Sequence, residues 1–203
     1  VETGMTLHEM AAKPDAGAII GQSTVPILPD ETAFEVFGKL TVLAEQILWN
    51  SLPAIMAGNP PKLPNDLSKG SYFGGRKPEQ GRIDWTQSAQ QVYNLHRAVA
   101  PPYPGAFTDV GTTRLVIGKA RLARDTPASG AEHTLRHLPL GLAVHNQGIV
   151  GVCGVCGDGG EGDDSGYLQI SELLCDGKPV SPQQLQELLQ RAGSSAHSAG
   201  DAL

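Results

Sequence analysis

The chain reads as an α/β protein in two parts: a strand–turn–strand–helix piece, then a small, mostly β domain. Three observations predict this. Two apolar stretches near the start flank a turn and lead into apolar residues at helical spacing. Residues 59–82, rich in Pro and Gly, then interrupt the pattern. Beyond residue 105 the apolar runs become short and alternate with turn residues, as strands do. The expected boundaries are 1–58 for the first part, 59–82 for a linker, 83–190 for the β domain and 191–203 for a disordered tail.

Taking the elements in order, residues 5–10 and 18–28 are the first two strands, joined by Ala11-Ala12-Lys13-Pro14-Asp15-Ala16-Gly17. Pro14 disfavours helix at Lys13, and Gly17 permits a turn closed to other residues. A helix begins near Pro29-Asp30-Glu31-Thr32, its acidic first turn suited to the positive end of the dipole. Phe37, Leu40, Ala44, Ile47 and Leu48 form its expected buried stripe; Pro53 is expected to kink or restart it, and Gly58-Asn59-Pro60-Pro61 to end it. Val92, Leu95 and Val99 mark a second helix from about Ser88 to Ala100, stopped by Pro101-Pro102. Ala106–Val110 and Thr113–Leu122 flank Gly111-Thr112 as a hairpin, and further strands are expected at Gly141–His145, Ile149–Cys153 and Tyr167–Leu174. Residues 123–134 and 157–166 read as polar loops. Ser181-Pro182 opens a last helix, a capping residue followed by Pro at the first helical position.

Composition narrows the function. The 203 residues are 40% hydrophobic with a net charge of −6, too apolar and too weakly charged for a disordered chain. No run approaches the ~20 apolar residues of a membrane span, and no basic-then-apolar leader opens the chain. A pI near 5.4 argues against a general nucleic-acid surface. Three cysteines, an odd count, favour a reducing cytoplasm over a disulfide framework. Val1 stands without an initiator Met, so the chain is expected to be processed or to begin inside a domain.

Asp15 is the first candidate for chemistry. A carboxylate in a strand–loop–strand corner, beside a small residue and a glycine, can act as a general base; the same residues also suit an ordinary turn aspartate. Gly74-Gly75-Arg76-Lys77 is the second. Its glycines let backbone approach a ligand and a guanidinium can clasp a diphosphate, although a solvated basic turn has the same composition. His8 reads as structural or surface. Cys153-Gly154-Val155-Cys156 has C-x-x-C spacing without a second pair, and Glu161-Gly162-Asp163-Asp164 lacks the spacing of a calcium loop, so no metal is expected.

The order of motifs carries a resemblance. Glu2-Thr3-Gly4-Met5-Thr6, then Asp15-Ala16-Gly17, Pro29-Asp30-Glu31-Thr32, Gly81-Arg82-Ile83-Asp84-Trp85, Arg97-Ala98-Val99, Pro104-Gly105-Ala106-Phe107, Cys156-Gly157-Asp158-Gly159-Gly160 and Cys175-Asp176-Gly177-Lys178-Pro179 resemble the folate-dependent formyltransferase family. The likeness covers nearly all of residues 2–190. It implies the C-terminal part of a doubly wound, Rossmann-like catalytic domain followed by an OB-like β-barrel domain. It also implies 10-formyltetrahydrofolate as formyl donor, Asp15 as a catalytic residue, and the backbone of Ala11, Ala12, Lys13, Pro14 and Asp15 as the lining of the cofactor pocket.

Asp15-Ala16-Gly17 and Tyr72-Phe73-Gly74-Gly75-Arg76 are similar to the sugar-nucleotide branch, which formylates UDP-4-amino-4-deoxy-L-arabinose for lipid A modification. In that reading Arg76 holds the UDP-amino sugar. A methionyl-tRNA formyltransferase, with initiator tRNA as partner, is the alternative enzyme, and a non-catalytic binding or scaffold protein the alternative of another kind. The family also uses an asparagine and a histidine in an N-x-H motif upstream of E-T-G. With Val1 as its first residue, this sequence is expected to carry one catalytic residue of the three that the resemblance implies and to be inactive on its own.

Overall fold

The computed structural model describes residues 1–123, 138–154 and 166–198. The chain divides into two compact units, Val1–Arg76 and Lys77–Leu203.

In the first unit, β1 (Glu2–His8) and β2 (Ile19–Pro26) pair antiparallel, with an irregularity between Leu7 and His8. Helix α1 (Ala33–Met56) packs on this hairpin. It starts at Thr32, whose hydroxyl accepts from the Glu35 backbone N–H while Glu35 returns a bond to the Thr32 N–H at 2.7 Å. This capping box satisfies backbone donors that helix geometry leaves unpaired. Two sequence expectations are corrected here. Of the kink or restart expected at Pro53 the restart does not occur, since the helix continues to Met56, and of the expected stripe only Ile47 is buried. Phe37 is 59% and Leu48 49% exposed, because a two-stranded sheet covers only a narrow strip of a 24-residue helix. The segment expected to lack elements also contains two short 3-10 turns, Leu67–Lys69 and Pro78–Gly81.

The second unit is built on an antiparallel six-stranded sheet. Strands β3 (Ala106–Val110), β4 (Thr113–Leu122), β5 (Gly141–His145), β6 (Gly148–Val152), β7 (Tyr167–Cys175) and β8 (Lys178–Pro179) lie in the order β3-β4-β7-β6-β5, with β8 on β7. Its turns carry the conformation their residues allow: Asn146-Gln147 and Asp176-Gly177 both have positive φ at the two central positions, as two-residue hairpins require. Register slips around Lys119 in the β4–β7 ladder bend the sheet into the curled, half-barrel form of an OB-like fold.

Helices α2 (Ala89–Val99) and α3 (Pro182–Ser198) close the core. Ser88 and Ser181 cap them in the same reciprocal way as Thr32, with Gln91 and Gln184 as partners. Val92 from α2, Leu115 and Ile117 from β4, Leu168 and Leu173 from β7 and Leu185 from α3 are its fully buried members. The tail expected to be disordered from 191 instead continues α3 to Ser198; residues 199–203 lie outside the described residues. Among the described residues no helix is long and apolar enough to cross a membrane, and no cluster of His, Cys, Asp and Glu could hold a metal ion.

Candidate functional site

The corner between β1 and β2 is held closed from three sides. The Glu9 N–H donates to the Ala18 carbonyl at 2.9 Å, which brings the two strand ends together. Ile19 and Leu63 exchange backbone bonds of 2.9 Å each way, which lays residues 62–65 alongside. Asn65 then donates from Nδ2 to the carbonyls of Asp15 at 2.8 Å and Gly17 at 3.2 Å. A Cβ on Gly17 would stand 1.8 Å from the Glu9 carbonyl oxygen, so no other residue fits this backbone.

Asp15 projects from the corner. Its φ of 58° is left-handed, a conformation few residues other than glycine and Asn/Asp adopt. The side chain is 90% exposed, with Oδ1 3.6 Å from Nε2 of His8. His8 is itself held by a 2.7 Å bond between Nδ1 and the Glu9 carbonyl, and the Glu9 carboxylate pairs with Lys62 at 2.7 Å. Ala11, Ala12, Lys13 and Pro14 form the exposed outer arm of the same turn. The arrangement can present a carboxylate and a run of accessible backbone amides to a small molecule.

Arg76 is exposed at the end of the first unit, behind Gly74 and Gly75, whose missing side chains would meet open space. Among the described residues no hydrogen bond or ion pair joins it to the Asp15 corner. Lys62 and Asn65 are residues of this corner that the sequence does not single out, and His8 is one that it reads as structural or surface. His8 lies on a strand edge where a surface role is the ordinary reading. Asn65 acts across 50 positions, and no local pattern announces such a bond.

The chain does contain one Asn-x-His spacing, Asn94-Leu95-His96, which the order of motifs passes over. It lies in α2, where Asn94 accepts from Gln90 and Arg97 and His96 faces the core at 3% exposure. Burial pushes the His96 imidazole down to about 4, with the Arg97 charge adding to the effect. It is a core residue. Cys153 is buried too, and burial pushes its thiol up to about 12, so it is unreactive. Cys156 and the Glu161–Asp164 run lie outside the described residues.

In the second unit Trp85 donates from Nε1 to Thr108 at 3.1 Å and lays its ring against Gly151. Arg82 and Arg114 stack on the ring of Phe107, 5.0 and 4.0 Å from its centre, and share the Asp109 carboxylate at 2.7 and 3.3 Å. Thus Gly81-Arg82-Ile83-Asp84-Trp85 and Pro104-Gly105-Ala106-Phe107, two motifs of the resemblance, meet as one packing unit.

Comparison with known proteins bears on both units. Residues 76–187 match the family model described as formyl transferase, C-terminal domain. Among solved structures, HypX from Aquifex aeolicus in complex with tetrahydrofolic acid is similar over 93% of this chain, at a TM-score of 0.60 and 18% identity. The N-formyltransferase from Helicobacter canadensis, in complex with folinic acid and dTDP-3-aminofucose, is similar over 84%, at 0.60 and 17%. WlaRD, a sugar 3N-formyl transferase solved with dTDP and 5-N-formyl-THF, is similar over 87%, at 0.59 and 18%. At these identities the likeness is one of fold. The chain spans 31%, 55% and 56% of the three proteins' lengths. With more than half of its residues matched to that model, the chain belongs to the formyl transferase family and carries its C-terminal domain.

Proposed function

We propose that the protein containing this chain transfers the formyl group of 10-formyltetrahydrofolate to the 4-amino group of a UDP-amino sugar in the cytoplasm, with Asp15 as the general base. The observation that carries this reading is the presentation of Asp15: a carboxylate 90% exposed on a backbone fixed by Asn65, in a corner that only Gly17 can close. As the amine nitrogen attacks the formyl carbon, its proton passes to the carboxylate. The carbon–N10 bond then breaks, and N10 takes up a proton from a group that this chain does not supply. The backbone of Ala11 to Asp15 lines the folate side, and Arg76 clasps the diphosphate. The folate compounds of the similar structures, with dTDP-3-aminofucose in one and dTDP in another, support a folate donor and a sugar-nucleotide acceptor.

The exposed face of α1 supports a larger catalytic domain around the first unit. Phe34, Phe37, Trp49 and Met56 are each more than half exposed, an apolar surface that the remaining strands of a doubly wound sheet would cover. On this reading the 203 residues alone transfer no formyl group.

The test is turnover by the protein that contains this chain, with UDP- and dTDP-amino sugars and initiator methionyl-tRNA offered side by side. Asp15→Asn, equal in size but unable to take a proton, is expected to lower kcat by about 10²–10⁴-fold. Arg76→Ala is expected to raise KM for the sugar nucleotide and leave folate binding unchanged. Turnover of Asp15→Asn within a few-fold of wild type would reduce Asp15 to a turn residue. Formylation of the tRNA alone would replace the sugar reading.

A further inference from the structure

We propose that Asn65 is a positioning residue for the reaction, acting through the main chain of Asp15; this rests on the reading of Asp15 as the base. Its amide nitrogen lies 2.8 Å from the Asp15 carbonyl oxygen and 3.2 Å from that of Gly17. Both partners are carbonyl oxygens, which only accept, so both hydrogens of that nitrogen are engaged and the amide has one orientation. Two carbonyl dipoles converging on one point repel each other unless a donor stands between them. Asn65 is that donor.

The consequence falls on the peptide groups around Asp15. A trans peptide is planar, its C=O and the following N–H pointing in opposite directions. Turning the Asp15 carbonyl towards Asn65 therefore aims the Ala16 N–H away from it, and among the described residues that hydrogen has no acceptor. The same bond holds Asp15 at its φ of 58°, a conformation from which an L-residue readily relaxes. Relaxation would swing the carboxylate and the neighbouring N–H together, away from where the turn now presents them.

Asn65 is itself pinned on both sides. Two residues before it, Leu63 exchanges backbone bonds of 2.9 Å with Ile19, and Pro64 fixes its own φ. One residue after it, Asp66 accepts from the Ser68 N–H at 3.1 Å and from its hydroxyl at 2.6 Å, which starts the 3-10 turn. The amide thus reaches the corner from a fixed base, and little freedom remains to be lost in making its two bonds. The chemistry also selects the residue type. Serine offers a single hydrogen, and aspartate, equal to asparagine in shape, offers none when ionised and repels both carbonyls.

The test uses the 203-residue chain for the contact and the protein that contains it for turnover. In the chain, the side-chain amide hydrogens of Asn65 are expected to exchange more slowly than those of the exposed Asn59; equal rates overturn the proposal. In turnover, with kcat taken per folded molecule, Asn65→Ala is expected to lower kcat by about 5–10-fold. Asn65→Ser should recover part of that loss, and Asn65→Asp should lose more than Asn65→Ala. A residue that only fills space would reverse this last order, and that result overturns the proposal. On the residual activity of Asp15→Asn, adding Asn65→Ala is expected to cost less than about two-fold, because effects that run through a shared group are not additive. A full further loss there would place the action of Asn65 elsewhere and overturn the proposal too. Asp15→Asn alone separates the two readings. If it is slow while Asn65→Ala is fully active, only the positioning role fails; if it is fully active, the general-base reading fails and the positioning role falls with it.

Discussion

Asn65 fixes the backbone of Asp15 from 50 positions away, donating one amide hydrogen to the Asp15 carbonyl at 2.8 Å and reaching the Gly17 carbonyl at 3.2 Å. A residue in the Pro-rich segment thereby sets the conformation of a turn between two strands. Asn65→Ala removes both donors and leaves the turn to the Glu9–Ala18 bond. The cost is about 1 kcal/mol, read as roughly five-fold faster amide exchange across residues 9–18. Unchanged exchange there would show that the turn holds without Asn65.

Trp85 and Gly151 make a second close pair. A Cβ at Gly151 would meet Cζ3 and Cη2 of the indole at 2.6 and 2.7 Å. Gly151→Ala must therefore push the ring aside and strain its 3.1 Å bond to Thr108. Overpacking of this kind costs about 1–3 kcal/mol. With Trp49 replaced by Phe, the remaining tryptophan fluorescence should shift to longer wavelength in Gly151→Ala; an unmoved spectrum contradicts the contact.

His96 makes the stability of the second unit depend on pH. Its imidazole is pushed from 6.5 down to about 4 in the fold, so between those values the unfolded chain binds a proton that the folded chain does not. Stability is then complete above pH 6.5, falls as pH drops toward about 4, and is level with respect to this group below that. The whole change is at most about 3 kcal/mol. Asp84, held down chiefly by its hydrogen bonds to Thr86, and Asp109, held down first by its bond to Arg82, act below their ordinary 3.8. Both lower stability only as the pH falls through that more acidic range, so the windows separate. Urea midpoints from pH 7 to 4 should show the slope in the wild type and lose it in His96→Phe.

The two units should also differ in protection. Leu115, Ile117, Leu168, Leu173 and Leu185 are almost wholly buried in the second, whereas α1 in the first buries Ile47 alone. Backbone amides of β4 and β7 should exchange more slowly than those of β1 and β2. Leu115→Ala should cost about 2–5 kcal/mol in the second unit and leave exchange in the first unchanged. Equal protection of both units would refute this.

What the sequence showed was set by local chemistry. The hairpin of β3 and β4 has the residue range its pattern predicts, because alternation and the Gly111-Thr112 turn are both local. The start of α3 was legible for the same reason, through Ser181 and Pro182, whereas the cap partners of Thr32 and Ser88, each three residues on, emerged only in the fold. Phe37 and Leu48 show the limit. Apolar spacing tells which face of a helix is oily, not whether anything covers it. The tail shows another: Gly193-Ser194-Ser195 is a poor helix-forming run, yet α3 carries on through it to Ser198. At the site, Asp15 and Gly17 stood out through their turn, while His8 and Asn65 gained meaning only once folding placed them beside it.

The narrow burial of α1 has a calorimetric consequence. The heat capacity of unfolding follows newly exposed apolar surface, at about +0.45 cal/K/mol per Å². Much of the α1 surface already meets water in the folded chain, at Phe37, Trp49 and Met56 among others. Melting Val1–Arg76 therefore adds less to the hydration of apolar groups than a fully packed unit would, and its stability curve is the flatter of the two. Lys77–Leu203, with its buried core, supplies the larger heat-capacity step and the more curved profile.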